Sequence, residues 1–135
     1  MGRTIASIIG GLIAWTAVVT ILNFGLRAAL PGYHTAEATL LFTPAMKAGR
    51  LIEAAIASLA AGVATRWIAP ASKWAPWMTG ALVLAMFLPV HIRLWDKFPA
   101  WYHLTFLLSI APLVVLGHFA SSPPSGSRPS RRSPG

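Results

Sequence analysis

The sequence predicts an all-α integral membrane bundle of four transmembrane helices, followed by a disordered basic tail. Three observations carry that prediction. The 135-residue chain is 56% hydrophobic and only 10% charged, whereas a soluble domain carries about 25% charged residues. Its apolar residues fall into long runs punctuated by proline and glycine. Its basic residues sit at the ends of those runs rather than along one stripe, a distribution that suits anionic lipid headgroups better than nucleic acid despite the net charge of +8. The predicted partner is the lipid bilayer.

The first run, Thr4–Leu26, would be roughly 34 Å long as a helix and spans a bilayer. It outlasts the roughly 7–15 residue core of a signal peptide, and no small-x-small site follows it before Arg27, so it reads as a retained anchor. "LPGYHT" (Leu30–Thr35) breaks the chain. From Thr35 to Ile68 a single helix would measure about 50 Å, too long for one span. Thr43-Pro44 divides it, with Thr43 as N-cap and Pro44 as first helical residue. The second span is then Pro44–Ile68, with a short interfacial helix over Thr35–Phe42 before it. One helix kinked at Pro44 is the alternative. Pro70 closes the span, and "APASKWAPW" turns at interface level.

The third span is predicted over Pro76–Trp95, with Pro89 inside it, and the fourth over Pro99–Ala120, with Pro112 inside it; both prolines should kink their helices. Residues 1–120 thus form one transmembrane domain. Ser121–Gly135, "SSPPSGSRPSRRSPG", has no apolar content to bury and should be disordered. Four spans place both termini on one side with Arg3, Arg66, Lys73 and the tail's Arg128, Arg131 and Arg132. Arg27, Lys47, Arg50, Arg93 and Lys97 lie toward the other side. The excess of positive charge favours cytoplasmic termini. Ala54, Ser58 and Gly62, and Ser7 and Gly11, recur every four residues, and such stripes predict close packing of the first two spans.

With no cysteine, disulfides, thiolate catalysis, Cys-ligated zinc and iron–sulfur clusters are excluded. No P-loop, G-x-G-x-x-G, G-x-S-x-G or H-E-x-x-H occurs. No catalytic residue, metal or resident cofactor is therefore assigned. The helix parity instead gathers His34, His91, His103 and all three acids, Glu37, Glu53 and Asp96, toward the side of the first and third loops. Lys47, Arg50 and Glu53 follow one another by threes and share a helix face, so Arg50 and Glu53 are placed to pair. Glu53 lies about 14 Å into its span, where a carboxylate must face the bundle. His91 and His103 stand at equal depth on either side of the short turn in "HIRLWDKFPAWYHL", whose Trp95, Trp101 and Tyr102 read as interface aromatics. Lys47, Arg50, Glu53, His91 and His103 are the candidate polar pocket.

"LWDKFPAWYHLTFLLSIAPLVVLG" (Leu94–Gly117) and "AGRLIEA" (Ala48–Ala54) resemble segments of small four-helix bacterial inner-membrane proteins. The resemblance implies that fold and location and no activity. The first span carries no acid, unlike that of small multidrug-resistance transporters. The leading expectation is a small multi-pass inner-membrane protein with an accessory or structural role, associating into a homo-oligomer or larger membrane complex. Two alternatives stay open: a transporter or channel using Arg50 and Glu53, and a haem-binding or redox subunit using His91 and His103.

Overall fold

The first apolar run becomes helix α1 (Gly2–Ala29) in a computed structural model, which describes residues 1–122. A short helix, α2 (Tyr33–Thr39), precedes α3 (Pro44–Ile68) and α4 (Ala75–Arg93), and a 3-10 turn (Trp95–Lys97) leads into α5 (Ala100–Ala120). Helices α1, α3, α4 and α5 are long and apolar enough to cross a bilayer. The protein is an all-α, multi-pass membrane protein. The predicted disordered tail lies, beyond Ser122, outside the described residues.

Local chemistry sets the boundaries. The Thr43 side chain accepts the Met46 backbone N–H at 3.3 Å, with Pro44 opening the helix where its missing N–H is no loss. The interfacial helix begins and ends earlier than Thr35–Phe42. Gly32 takes the left-handed conformation (φ 77°) and lets the helix start at Tyr33; Leu40 (φ 60°) ends it. Pro89 and Pro112 both lie within helices, α4 and α5.

Helix α3 is central, packed on α1 and α5. Its buried face is built largely from small residues, among them Ala54, Ala57, Ser58, Ala61 and Gly62, so neighbouring backbones come close. Trp15 of α1 fills the space this leaves. Its indole Nε1 donates to Ser58 Oγ at 3.1 Å, and that hydroxyl donates onward to the Ala54 carbonyl at 2.7 Å. A buried tryptophan needs such a partner for its N–H, and the bond contributes about 1 kcal/mol. The stripe of small residues divides its work. Ser7 and Gly11 are buried on α1 as predicted, but Gly62 faces the backbone of α5 at Val114, Gly117 and His118 rather than α1.

A second buried polar contact ties α3 to α5. Thr65 Oγ1 donates its one hydrogen to the Gly62 carbonyl at 2.7 Å and lies 2.9 Å from His118 Nδ1. The ring nitrogen must therefore carry the proton and donate to threonine. His118 is fully buried, which places the helix ends opposite the first and third loops in firm contact. Toward the first and third loops the helices and their connections enclose a cavity.

Candidate functional site

The connection between α1 and α3 roofs the site. Tyr33 and Ala36 of α2 and Met46 of α3 form a small core of their own, supported by Leu26, Leu30 and Phe42. Leu40 is held in a left-handed conformation that costs a non-glycine residue about 1 kcal/mol or more. The reversal brings the Phe42 ring to 5.8 Å from that of Tyr33 and 5.7 Å from that of Phe98. A chain of aromatic rings thus runs from α2 to the start of α5.

Glu37 fastens α2 to α1. Its carboxylate accepts from Arg27 Nε at 2.8 Å and from Asn23 Nδ2 at 3.2 Å. Burial works to raise its pKa, yet the two hydrogen bonds and the Arg27 charge hold it below the ordinary carboxylate value. A depressed folded pKa stabilises the docked helix fully above the unfolded value of 4.5 and loses that effect as pH falls through the lower folded value. A spin label at exposed Thr39 should therefore gain mobility as the pH drops below that range. The Glu37→Gln variant should show the greater mobility already at neutral pH.

His91 lies in the last turn of α4 and His103 in the first turn of α5, brought together by the 3-10 turn. Their Nδ1 atoms are 2.7 Å apart. One ring donates and the other accepts, so the pair shares a single proton at that contact. Trp95 stacks on His103 with ring centroids 4.8 Å apart and planes at 15°, and Phe106 lies 4.4 Å from His91. His103 is fully buried and its Nε2 has no hydrogen-bond partner. The two Nδ1 atoms are engaged with each other, a contact that leaves the Nε2 atoms, the usual metal-ligating nitrogens of imidazole, outside the pair. No group of three or more His, Cys, Asp or Glu side chains suited to a metal occurs among the described residues.

Arg50 joins the roof to the histidine end. Its Nε donates to the Tyr102 hydroxyl at 3.2 Å and its Nη1 to the Tyr33 hydroxyl at 3.1 Å. The guanidinium carbon stands 5.0 Å from the centroid of the Phe42 ring, a cation–π distance. The expected Arg50–Glu53 pair does not form: among the described residues the ion pair present is Arg27–Glu37. The reason is direction. Arg50 extends toward the loop end, where both tyrosines lie, while Glu53 is a turn deeper along α3 and 6% exposed.

These groups border a cavity of about 250 Å³. Arg50, Tyr102, His91, His103 and Glu37 supply its polar wall; Phe42, Phe87, Phe98 and Phe106 supply much of the apolar one. Of the five residues that the sequence singles out, Arg50, His91 and His103 line the cavity. Lys47 and Glu53 do not. Sequence reasoning missed Glu37, Phe42 and Tyr102 as members, and Tyr33 as the roof residue that holds Arg50 from outside the lining. Tyr102 is 4% exposed, whereas Trp95 and Trp101 are 43% and 52% exposed; the latter two alone fit an interface reading. The position of Glu37 on the correct side was the available signal.

Chemically the site is rich in donors. Both tyrosine oxygens accept from Arg50, and Tyr102, which lines the cavity, keeps its own hydrogen free to donate there. The Glu37 oxygens are engaged by Arg27 and Asn23. Such a wall, facing aromatic rings, suits an acceptor-rich anionic group carried on an apolar body. Compared with known protein families, characterised proteins and solved structures, the chain matches none.

Proposed function

We propose that this protein is an accessory membrane component that binds a small amphiphilic anion in the Arg50 cavity. One observation carries the reading: Arg50 enters an aromatic cavity, held by two tyrosine hydroxyls, with no carboxylate at ion-pair distance among the described residues. A guanidinium partly withdrawn from water with no carboxylate in direct contact carries a desolvation cost, and a bound carboxylate or phosphate offsets that cost. At about 250 Å³ the cavity falls just below the roughly 300–1,000 Å³ of drug-sized pockets, so the ligand is a small organic acid or a headgroup-sized anion. The role is binding rather than catalysis. The resemblance of the C-terminal hairpin and the slight excess of basic residues beside the termini support a bacterial inner-membrane location with cytoplasmic termini.

The test is a ¹⁹F NMR titration of the protein in nanodiscs with 4-fluorobenzoate and, in parallel, its neutral amide. The carboxylate should bind saturably and at least about tenfold tighter, the worth of one charge-assisted hydrogen bond. Equal affinities would remove the anion from the proposal. A second reading, transport, is favoured by the buried Glu53 one turn below Arg50 and without an ion-pair partner among the described residues. It requires that Glu53→Gln stop carboxylate flux in liposomes while binding persists.

A further inference from the structure

The opposite end of the bundle carries a second, independent feature. An open groove of about 460 Å³ lies between the start of α1 and the α3–α4 turn, lined by Arg3, Thr4, Ser72, Lys73 and Trp74 among others. Its walls are fixed by side chains that cap α3: Arg3 Nε donates to the Ile68 carbonyl at 3.3 Å, and Arg66 donates to the Pro70 carbonyl. The Ile68 carbonyl is an orphan of the α3 C-terminus, so Arg3 is held through Nε while its two Nη groups stay available. Arg66 is bound instead through Nη1, with its Nε buried, and braces the turn without lining the groove.

The charge at this end has no internal answer. The chain has three acids, and Glu37, Glu53 and Asp96 all belong to α2, the first half of α3 and the α4–α5 turn, toward the far side. Arg3, Arg66 and Lys73 make no ion pair among the described residues. The level is also set. Trp74, which lines the groove, is 75% exposed, and Trp67 in the last turn of α3 is 57% exposed; tryptophans at such positions sit at headgroup depth. Ile5 and Ile9, which follow the groove residues Arg3 and Thr4 along α1, are exposed apolar side chains.

We propose that this groove binds the phosphate of an anionic phospholipid, with Arg3 and Lys73 on the phosphate, Thr4 and Ser72 hydroxyls beside it, and the acyl chains along the Ile5–Ile9 face of α1. Basic grooves between transmembrane helices at the headgroup level recognise anionic lipids through this combination of charge and depth. The site is separate from the Arg50 cavity and does not rest on it.

Native mass spectrometry of the full chain, released from micelles doped with phosphatidylglycerol or phosphatidylcholine, tests the assignment. Phosphatidylglycerol should be retained preferentially. Each of Arg3→Gln and Lys73→Gln should weaken it roughly fivefold and the double variant roughly 25-fold, while Arg93→Gln at the other end changes nothing. Arg3→Lys, which keeps the charge, should restore most of the binding. The proposal is overturned if phosphatidylcholine is retained equally or if the double variant behaves like Arg93→Gln. It is overturned as well if inorganic phosphate at millimolar concentration displaces the lipid and occupies the site itself, since the ligand would then be the free ion.

Discussion

Gly62→Leu should abolish the folded bundle, and Gly62→Ala should already destabilise it by about 3 kcal/mol, the upper end of ordinary overpacking. A methyl group at this position meets the Val114 carbonyl, the His118 nitrogen at 2.7 Å and Gly117 Cα at 2.9 Å. All three are backbone atoms of α5, which cannot rotate aside as a side chain can. Gly117 meets α3 in the same way, against the Leu59 carbonyl. Moving the helices apart would also break the buried His118–Thr65 hydrogen bond. Gly25 is the control, because a methyl group there would have nothing within 4 Å. Gly25→Ala should be neutral or stabilising by up to about 1 kcal/mol from helix propensity. Equilibrium unfolding in mixed micelles separates the two outcomes. Wild-type behaviour of Gly62→Leu would mean that α3 and α5 do not meet at these glycines.

Arg50→Met should lose anion binding by roughly 30- to 150-fold while its melting temperature stays level or rises. The affinity loss corresponds to about 2–3 kcal/mol for a charge-assisted contact. The stability expectation follows from the same residue. A half-buried guanidinium without an ionic partner carries a desolvation cost, and replacing buried charge by an apolar chain of similar length is commonly neutral or stabilising. Tyr33 keeps Asn23 as a donor at 3.4 Å after the change, so the α2 roof retains part of its network. An arginine present only to hold α2 and α5 together would give the opposite pattern: a lower melting temperature with binding untouched. Thermal unfolding measured beside the ¹⁹F titration distinguishes the two.

The architecture was legible because its signals are local. Four apolar runs, the Thr43-Pro44 cap and the prolines between segments mark the helices without any knowledge of packing. The site was legible only in depth. Spacing from the helix ends put His91 and His103 level with each other, but the rotation that sets their nitrogens 2.7 Å apart depends on how α4 and α5 pack. The Arg50–Glu53 pairing failed for a related reason. A step of three residues permits a contact within one helix, yet Arg50 is claimed by hydroxyls 17 and 52 residues away in sequence. Tyr102 was hidden by its neighbours: beside two exposed tryptophans a buried tyrosine looks like one more interface aromatic. Leu40 gave no warning, because only the tertiary contacts of α2 make a left-handed leucine tolerable.

The most direct test of the central claim is the ratio of affinities for 4-fluorobenzoate and its amide, measured by ¹⁹F NMR in wild type and in Arg50→Gln. The expected result is a ratio of at least about tenfold in wild type, falling to near one in the variant through loss of the carboxylate alone. A ratio that survives in Arg50→Gln would place the anion somewhere other than this cavity.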